Sequence, residues 1–258
     1  MPPFEILGLA AVAALAGAIN AIAGGGTLLT FPALLFFGTA PIVANATSTV
    51  ALVIGTAGSI FGFRQLLRAV WPWFMRFALV SALGGWLGSM LLTRTSDRAF
   101  IQLVPFLILF ATVLFLAQGA FRQFAGFGGK TDEPVVHERR VWVAVLFQFA
   151  VSIYGGYFGA GIGILMLASL GFLGLRDIHQ MNALKNALGS LINLVAAAWF
   201  IASGLVDWPK AGVMTVGALA GYFIGAHFSQ RIPQAAARRL ITIIGLAISA
   251  EMFRRQFR

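Results

Sequence analysis

Cysteine is absent from the 258 residues. Disulfides, thiolate metal sites and thiol chemistry are excluded together. Charge is scarce as well. Charged types make up 10% of the chain, against roughly 25% in a soluble globular domain. That is too little polar surface to cover a water-exposed particle, so an ordinary soluble enzyme, a disordered chain and a coiled coil are excluded. Acids are the rarest charge, eight against 18 Lys+Arg, leaving a net +10. What is abundant is apolar surface. Hydrophobic types reach 59% and mean hydropathy is +0.89. The composition calls for a bilayer as the main solvent.

The first apolar run, MPPFEILGLAAVAALAGAIN, has no Lys or Arg before it. It lacks the basic start of a secretory signal and is expected to stay as a membrane segment. A helix needs about 20 apolar residues to cross a core of about 30 Å. The sequence predicts such helices near 4–23, 43–63, 71–93, 99–118, 141–160, 180–203, 209–230 and 236–253. Two shorter apolar stretches, 26–38 and 162–174, each follow a glycine cluster. They read as half-helices or re-entrant pieces. The apolar runs are continuous and lack the alternation of a transmembrane β-strand. The expected fold class is therefore an all-α polytopic membrane protein with about eight transmembrane helices and two short Gly-broken segments.

Most charge lies at segment ends, as in Arg94/Arg98, Arg238/Arg239 and Arg254/Arg255/Arg258. Edge charge of this kind orients a membrane protein. The polar stretch 119–140 is the one long hydrophilic linker and is placed in the cytoplasm, with the basic C-terminal tail on the same side. The bases form no stripe on a soluble module, so no nucleic-acid partner is expected.

The chain also repeats itself. Asn45-Ala46 recurs as Asn182-Ala183, 137 residues on, and the same offset carries Trp71-Pro72 onto Trp208-Pro209 and Gly84/Gly88 onto Gly221/Gly225. Gly24-Gly25-Gly26 matches Gly159-Ala160-Gly161 at an offset of 135. The expected division is a first half over 1–118, the linker over 119–140 and a second half over 141–258. Repeated membrane halves are a transporter signature, with the ligand site at their interface. An even number of crossings per half gives parallel repeats and an odd number gives inverted ones.

Gly24, Gly25, Gly26 and Thr27 interrupt one apolar stretch, and Gly159 and Gly161 interrupt another. A broken helix frees N–H groups and lets a ligand approach the backbone. Gly84/Gly88 and Gly217/Gly221/Gly225 read instead as close-packing seams. After each break comes a polar helix start: Asn45, Thr47 and Ser48 in the first half, Asn182, Lys185 and Asn186 in the second. A helix N-terminus with hydroxyl and amide donors suits an anion, and capping accounts for only one such residue per helix. Lys185 is an ionisable group inside a predicted span, which is costly and marks a functional candidate. No carboxylate accompanies it in the apolar runs. The two motif regions are expected to face each other near the membrane midplane. Asn20 could line a cavity or bond across helices. No metal-ligand cluster and no nucleophile–base set is present, so no cofactor, no metal and no enzymatic activity is expected.

NAIAGGGTLLTFPALL followed by VANATST resembles the first-half signature of the sulfite exporter TauE/SafE family. YGGYFGAGIGILMLASLGFLGLRDIHQMNALKN is similar to its second-half signature. The resemblance covers nearly the whole chain. It implies a multi-pass permease of the bacterial inner membrane, moving sulfite, sulfoacetate or related sulfur-containing organic anions. It carries over to Gly24, Gly25, Gly26, Asn45, Thr47 and Ser48, then Gly159, Gly161, Asn182, Lys185 and Asn186. The partners implied are a small anionic substrate and the lipid bilayer.

A different class of protein fits the same features: a non-transporting membrane subunit that docks a partner through the linker. Deleting most of 119–140 discriminates the two. Anion flux into liposomes survives the deletion in a permease, whereas a docking subunit loses its activity.

Overall fold

The computed structural model describes residues 1–22, 25–62, 64–124, 138–172, 178–228 and 234–256. Gly24, part of the linker and some helix connections lie outside them. The described residues form eleven helices. They are α1 (Pro3–Ile22), α2 (Thr27–Phe36), α3 (Pro41–Gly62), α4 (Arg64–Ala69), α5 (Trp71–Arg94), α6 (Asp97–Phe124), α7 (Glu138–Tyr157), α8 (Ile162–Phe172), α9 (Ile178–Ala202), α10 (Trp208–Phe228) and α11 (Gln234–Gln256). Four stretches are long and apolar enough to cross a membrane: Pro3–Ala21, Trp71–Arg94, Asp97–Ala117 and His179–Ala202. Helices α3, α7, α10 and α11, of 20 to 23 residues, each reach about 30 Å at 1.5 Å per residue. The two short helices are α2, with 10 residues, and α8, with 11. This is an all-α polytopic membrane protein.

Three boundaries differ from the sequence reading. Helix α6 runs on to Phe124 and α7 begins at Glu138, so both enter the stretch expected to be linker. The apolar run ends earlier, but hydrogen bonding lets a helix continue past the membrane edge. Helix α7 stops at Tyr157, because Gly159 and Gly161 take φ values of +83° and +79° that no helix accommodates. The short α4 was not expected, since its Arg-Gln-Leu-Leu-Arg-Ala run is too short to show periodicity.

The side chains are sorted for a bilayer. Leu7, Leu79, Leu146, Val216 and Phe223 are exposed, while Asn45, Thr47, Ser48, Ser81, Gln148 and Ser152 are buried. Polar groups inside bond across helices. Gln148 Nε2 donates to Ser81 Oγ at 3.0 Å, joining α7 to α5.

The most extensive contacts join helices from different halves of the chain. Helix α1 lies along α10. Gly217, Gly221 and Gly225 lie against the backbone of Ala10, Ala14 and Ala18 in turn, so the two helices run parallel. Helix α5 lies along α7 in the same way. Gly84 faces Phe149 O and Gly88 faces Ile153 O. These are the same contacts one repeat apart. Helix α3 crosses α9 antiparallel: Ser190 Oγ donates to Thr56 O at 3.0 Å, and the pair continues through a cluster of Val50, Val53 and Ala197. Helix α6 meets α11 antiparallel too: Ser249 Oγ donates to Pro105 O at 3.0 Å, while Gly245, one turn earlier on α11, faces Thr112, two turns later on α6. Exchanging α1, α2, α3, α5 and α6 with α7 to α11 thus maps these main interfaces onto one another. Pairs that map onto themselves are antiparallel, so the exchange is a half-turn about an axis across the helices.

The hairpins follow from this. Helix α2 runs back along α1, with Gly26 beside Ala16 and Phe37 beside Gly8. Helix α8 runs back towards the start of α7, with Leu170, Val70 and Ala144 in one cluster. One hairpin enters from the face holding Pro3 and the other from the opposite face, which holds the ends of α6 and α7 at Phe124 and Glu138. Helix α11 ends at the Pro3 face. The linker ends and the C-terminal helix end therefore lie at opposite faces, not on one side as expected. Because α8 runs back towards the start of α7, α9 sets out from the linker face, which helix length alone did not reveal.

The glycine contacts are testable. A Cβ at Gly221 would strike Ala14 O, whereas one at Gly212 meets nothing within 4 Å. Gly221→Ala is expected to lower the thermal midpoint in detergent, as overpacking costs about 1–3 kcal/mol. Gly212→Ala should raise it slightly, since Ala is favoured over Gly in a helix by about 1 kcal/mol.

Candidate functional site

Both breaks lie in the interior against one turn of α6. Gly25, with φ +92°, faces the Phe115 ring, and Gly161 faces Ala111 and Leu114. Around the first break the donors are already arranged. Gly26 N donates to Asn20 Oδ1 at 3.4 Å, and Asn20 Nδ2 donates to Tyr222 Oη. Thr27 opens α2 at this point. Around the second, Tyr154 Oη donates to Ala160 O at 2.8 Å and ties the turn shut. Phe158 stacks edge-on against Phe31 and Phe100, which seats the tip of the second hairpin on α2 and α6.

The first-half motif lies on α3, but one turn further inside the helix than a start position. The helix begins at Pro41. Its first free donor is taken: Ile42 N donates to Asp97 Oδ1 at 3.1 Å. Asp97 therefore caps the end that the sequence reading offered to an anion. Thr47 Oγ1 accepts from Asp207 N at 3.0 Å. Ser48 Oγ lies 2.6 Å from Thr30 Oγ1, and Thr30 Oγ1 donates to Gly26 O at 3.2 Å. Asn45 Nδ2 donates to Tyr157 O at 3.2 Å, and Asn45 Oδ1 is buried without a partner.

The second-half motif lies on α9. Lys185 Nζ donates to Asn182 Oδ1 at 3.3 Å. The stem of Lys185 runs past Gly163 at the start of α8; a Cβ there would sit 3.2 Å from Lys185 Cδ. No carboxylate pairs with Lys185 among the described residues. Asn186 follows it, half-buried.

The two motifs do not face each other across a short gap. Helices α3 and α9 cross antiparallel at Thr56 and Ser190. Asn45 lies eleven residues from that point in one direction and Lys185 five in the other. At 1.5 Å per residue this separates them by about 24 Å along the pair. Their helices are related by the half-turn, which sends the two motifs to opposite sides of the axis. The breaks, not the motifs, come together in the middle. Gly24 lies outside the described residues.

Two groups escaped the sequence reading. Tyr222 follows a glycine in what reads as a packing seam, and no local signal pairs it with Asn20, 202 residues away. Lys210 looked like edge charge. It forms an ion pair with Glu5 at 2.9 Å and donates to Phe37 O at 3.1 Å and Thr39 Oγ1 at 3.0 Å. That cluster closes the end of α2 against α1 and α10.

Residues 9–252 match the family described as Sulfite exporter TauE/SafE. A relative from Haemophilus influenzae, named Probable membrane transporter protein, is 30% identical over 91% of this chain and 89% of its own length. Another from Escherichia coli K12, named Probable membrane transporter protein YfcA, is 28% identical over 93% of this chain and 85% of its own. A third from Bacillus subtilis, named Probable membrane transporter protein YunE, is 22% identical over 92% and 93%. No solved structure matches the chain.

Tyr222→Phe would keep the ring beside Gly55 and remove only the hydroxyl at the end of the Gly26–Asn20 chain. A neutral hydrogen bond is worth about 0.5–1.5 kcal/mol. The expected result is a lower thermal midpoint of the purified protein in detergent, because Asn20 Nδ2 loses its acceptor.

Proposed function

Because this chain belongs to the sulfite exporter TauE/SafE family, it is a multi-pass membrane transporter, and we propose that its cargo is a small oxyanion, sulfite or an organosulfonate. The observation that carries the proposal is Lys185. It is a cation inside a membrane helix, its ammonium held by Asn182 and no carboxylate beside it among the described residues. A charge so placed is costly unless a ligand of opposite sign compensates it. An oxyanion does so through charge-assisted hydrogen bonds.

The start of α8 supports the same reading. Ile162 and Gly163 follow a break, so their N–H groups face away from any preceding helical turn and the positive end of the α8 dipole lies beside Lys185. Asn182 and Asn186 supply amide donors on the same helix. The start of α2, with Gly25 and Thr27 on either side of a Gly26 N–H that Asn20 Oδ1 takes up, offers an equivalent end on the other side of the α6 turn. Asn20 and Tyr222 extend its donors. An anion released by one break therefore meets the donors of the other.

Transport by alternating access fits this arrangement. In the proposal the halves 1–118 and 141–258 are inverted repeats joined by 119–140, and each contributes one hairpin entering from its own face. The α1–α10 and α5–α7 pairs move as stiff arms about the α3–α9 crossing. The linker face is cytoplasmic, because the helices that end or begin there carry Arg64, Arg68, Arg139, Arg140 and Arg238. The membrane is the bacterial inner membrane, where helical bundles reside.

Lys185→Ala is expected to leave folded protein in the membrane and to lower oxyanion flux into proteoliposomes about ten-fold or more. A hydrogen bond from a charged group is worth about 1.5–3 kcal/mol. The panel is sulfite, sulfate, sulfoacetate, thiosulfate and short carboxylates. Normal flux in the mutant removes Lys185 from the mechanism.

A further inference from the structure

Asn45 and Asn182 are the same residue of the two repeats, and their side-chain oxygens have opposite fates. Asn182 Oδ1 accepts from the Lys185 ammonium three residues on, at 3.3 Å. The residue three on from Asn45 is Ser48, which stands where Lys185 stands in the other half. No ammonium reaches Asn45 Oδ1, and the atom is left without a partner although Asn45 is 1% exposed.

Donor bookkeeping around Ser48 excludes a local remedy. Thr30 has one hydroxyl hydrogen, and it goes to Gly26 O. The short Ser48–Thr30 contact must then use the hydrogen of Ser48. Thr49 spends its own on Asn45 O, and Asn45 Nδ2 gives one of its two hydrogens to Tyr157 O. The hydroxyl hydrogens of Thr30, Ser48 and Thr49 are thus all committed elsewhere, none reaches Asn45 Oδ1, and lone pairs stay open on Asn45 Oδ1 and Ser48 Oγ. Tyr157 closes α7, so the negative end of a 20-residue helix lies against the same spot. A buried acceptor that no neighbouring hydroxyl completes, beside a helix C-terminus, is complementary to a cation. Ligands that are neutral oxygens suit a monovalent ion rather than a divalent one.

We propose that Asn45 Oδ1 and Ser48 Oγ form a binding site for a small alkali cation of the sodium type, which plays in the first half the part that the Lys185 ammonium plays in the second. The inference deepens the transporter reading by assigning a coupling cation, but its test uses no anion cargo and so stands or falls separately.

The measurement is the thermal midpoint of the purified full chain in detergent, titrated with NaCl, KCl or choline chloride at constant ionic strength. A ligand that binds the folded state raises the midpoint saturably. The expected result is a saturable rise with Na+ that choline does not reproduce. Ser48→Ala should move the half-saturating Na+ concentration up about ten-fold. Asn45→Asp, which keeps the shape and adds charge, should move it down. Ser48→Lys should abolish the Na+ response by supplying a tethered ammonium. A midpoint that responds equally to Na+ and choline, or a Na+ response unchanged in both Ser48→Ala and Asn45→Asp, overturns the proposal.

Discussion

Backbone-to-backbone contact at glycine is the constraint on which the remaining structure depends. Lipid is as apolar as the helices, so burial gives little drive for helices to associate within the bilayer. Close van der Waals approach does that work instead, and only small residues permit it. Gly217, Gly221 and Gly225 admit α1 to α10; Gly84 and Gly88 admit α7 to α5. Each seam joins a helix of one half to a helix of the other. The halves are thus interlocked rather than side by side. The hairpins α1–α2 and α7–α8 are carried on these seams, which is why their breaks arrive at one turn of α6.

Electrostatics then separates two lysines that look alike on paper. Lys210 is nearly buried but saturated, with Glu5 as its counter-ion and three oxygens as acceptors. It is part of the structure that seals one end of α2. Lys185 has an amide oxygen and, among the described residues, no acid. Desolvating one charge beside another of opposite sign is tolerable; desolvating one beside neutral dipoles is costly unless something else completes it. In the proposed mechanism Lys185 is therefore the charge that a bound anion completes.

Much of the fold was legible in the sequence, and the reasons are physical. Continuous apolar runs predicted each long helix to within a few residues. Consecutive glycines predicted the breaks, since Gly25, Gly159 and Gly161 take backbone angles that other residues resist. A helix of six residues left no periodic trace, so α4 went unread. The candidate site was legible only in part. Lys185 and its neighbours stood out because a charge in an apolar run is rare. Tyr222 did not, because its role depends on a contact 202 residues away in sequence. The helix-start reading of Asn45, Thr47 and Ser48 met a capping carboxylate, Asp97, that comes from a different turn.

By itself the sequence determined the solvent, the span lengths and the family, because these follow from composition, local periodicity and motif residues. Tertiary structure alone decided that the repeat-related helices run in opposite directions. That choice rests on which helix faces accept one another, and no local pattern records it. It also decided that Asn45 and Asn182, identical in the repeat, differ in chemistry. One is completed by a lysine three residues on and the other has no partner among the described residues, so the burial of an acceptor, not its identity, marks the difference.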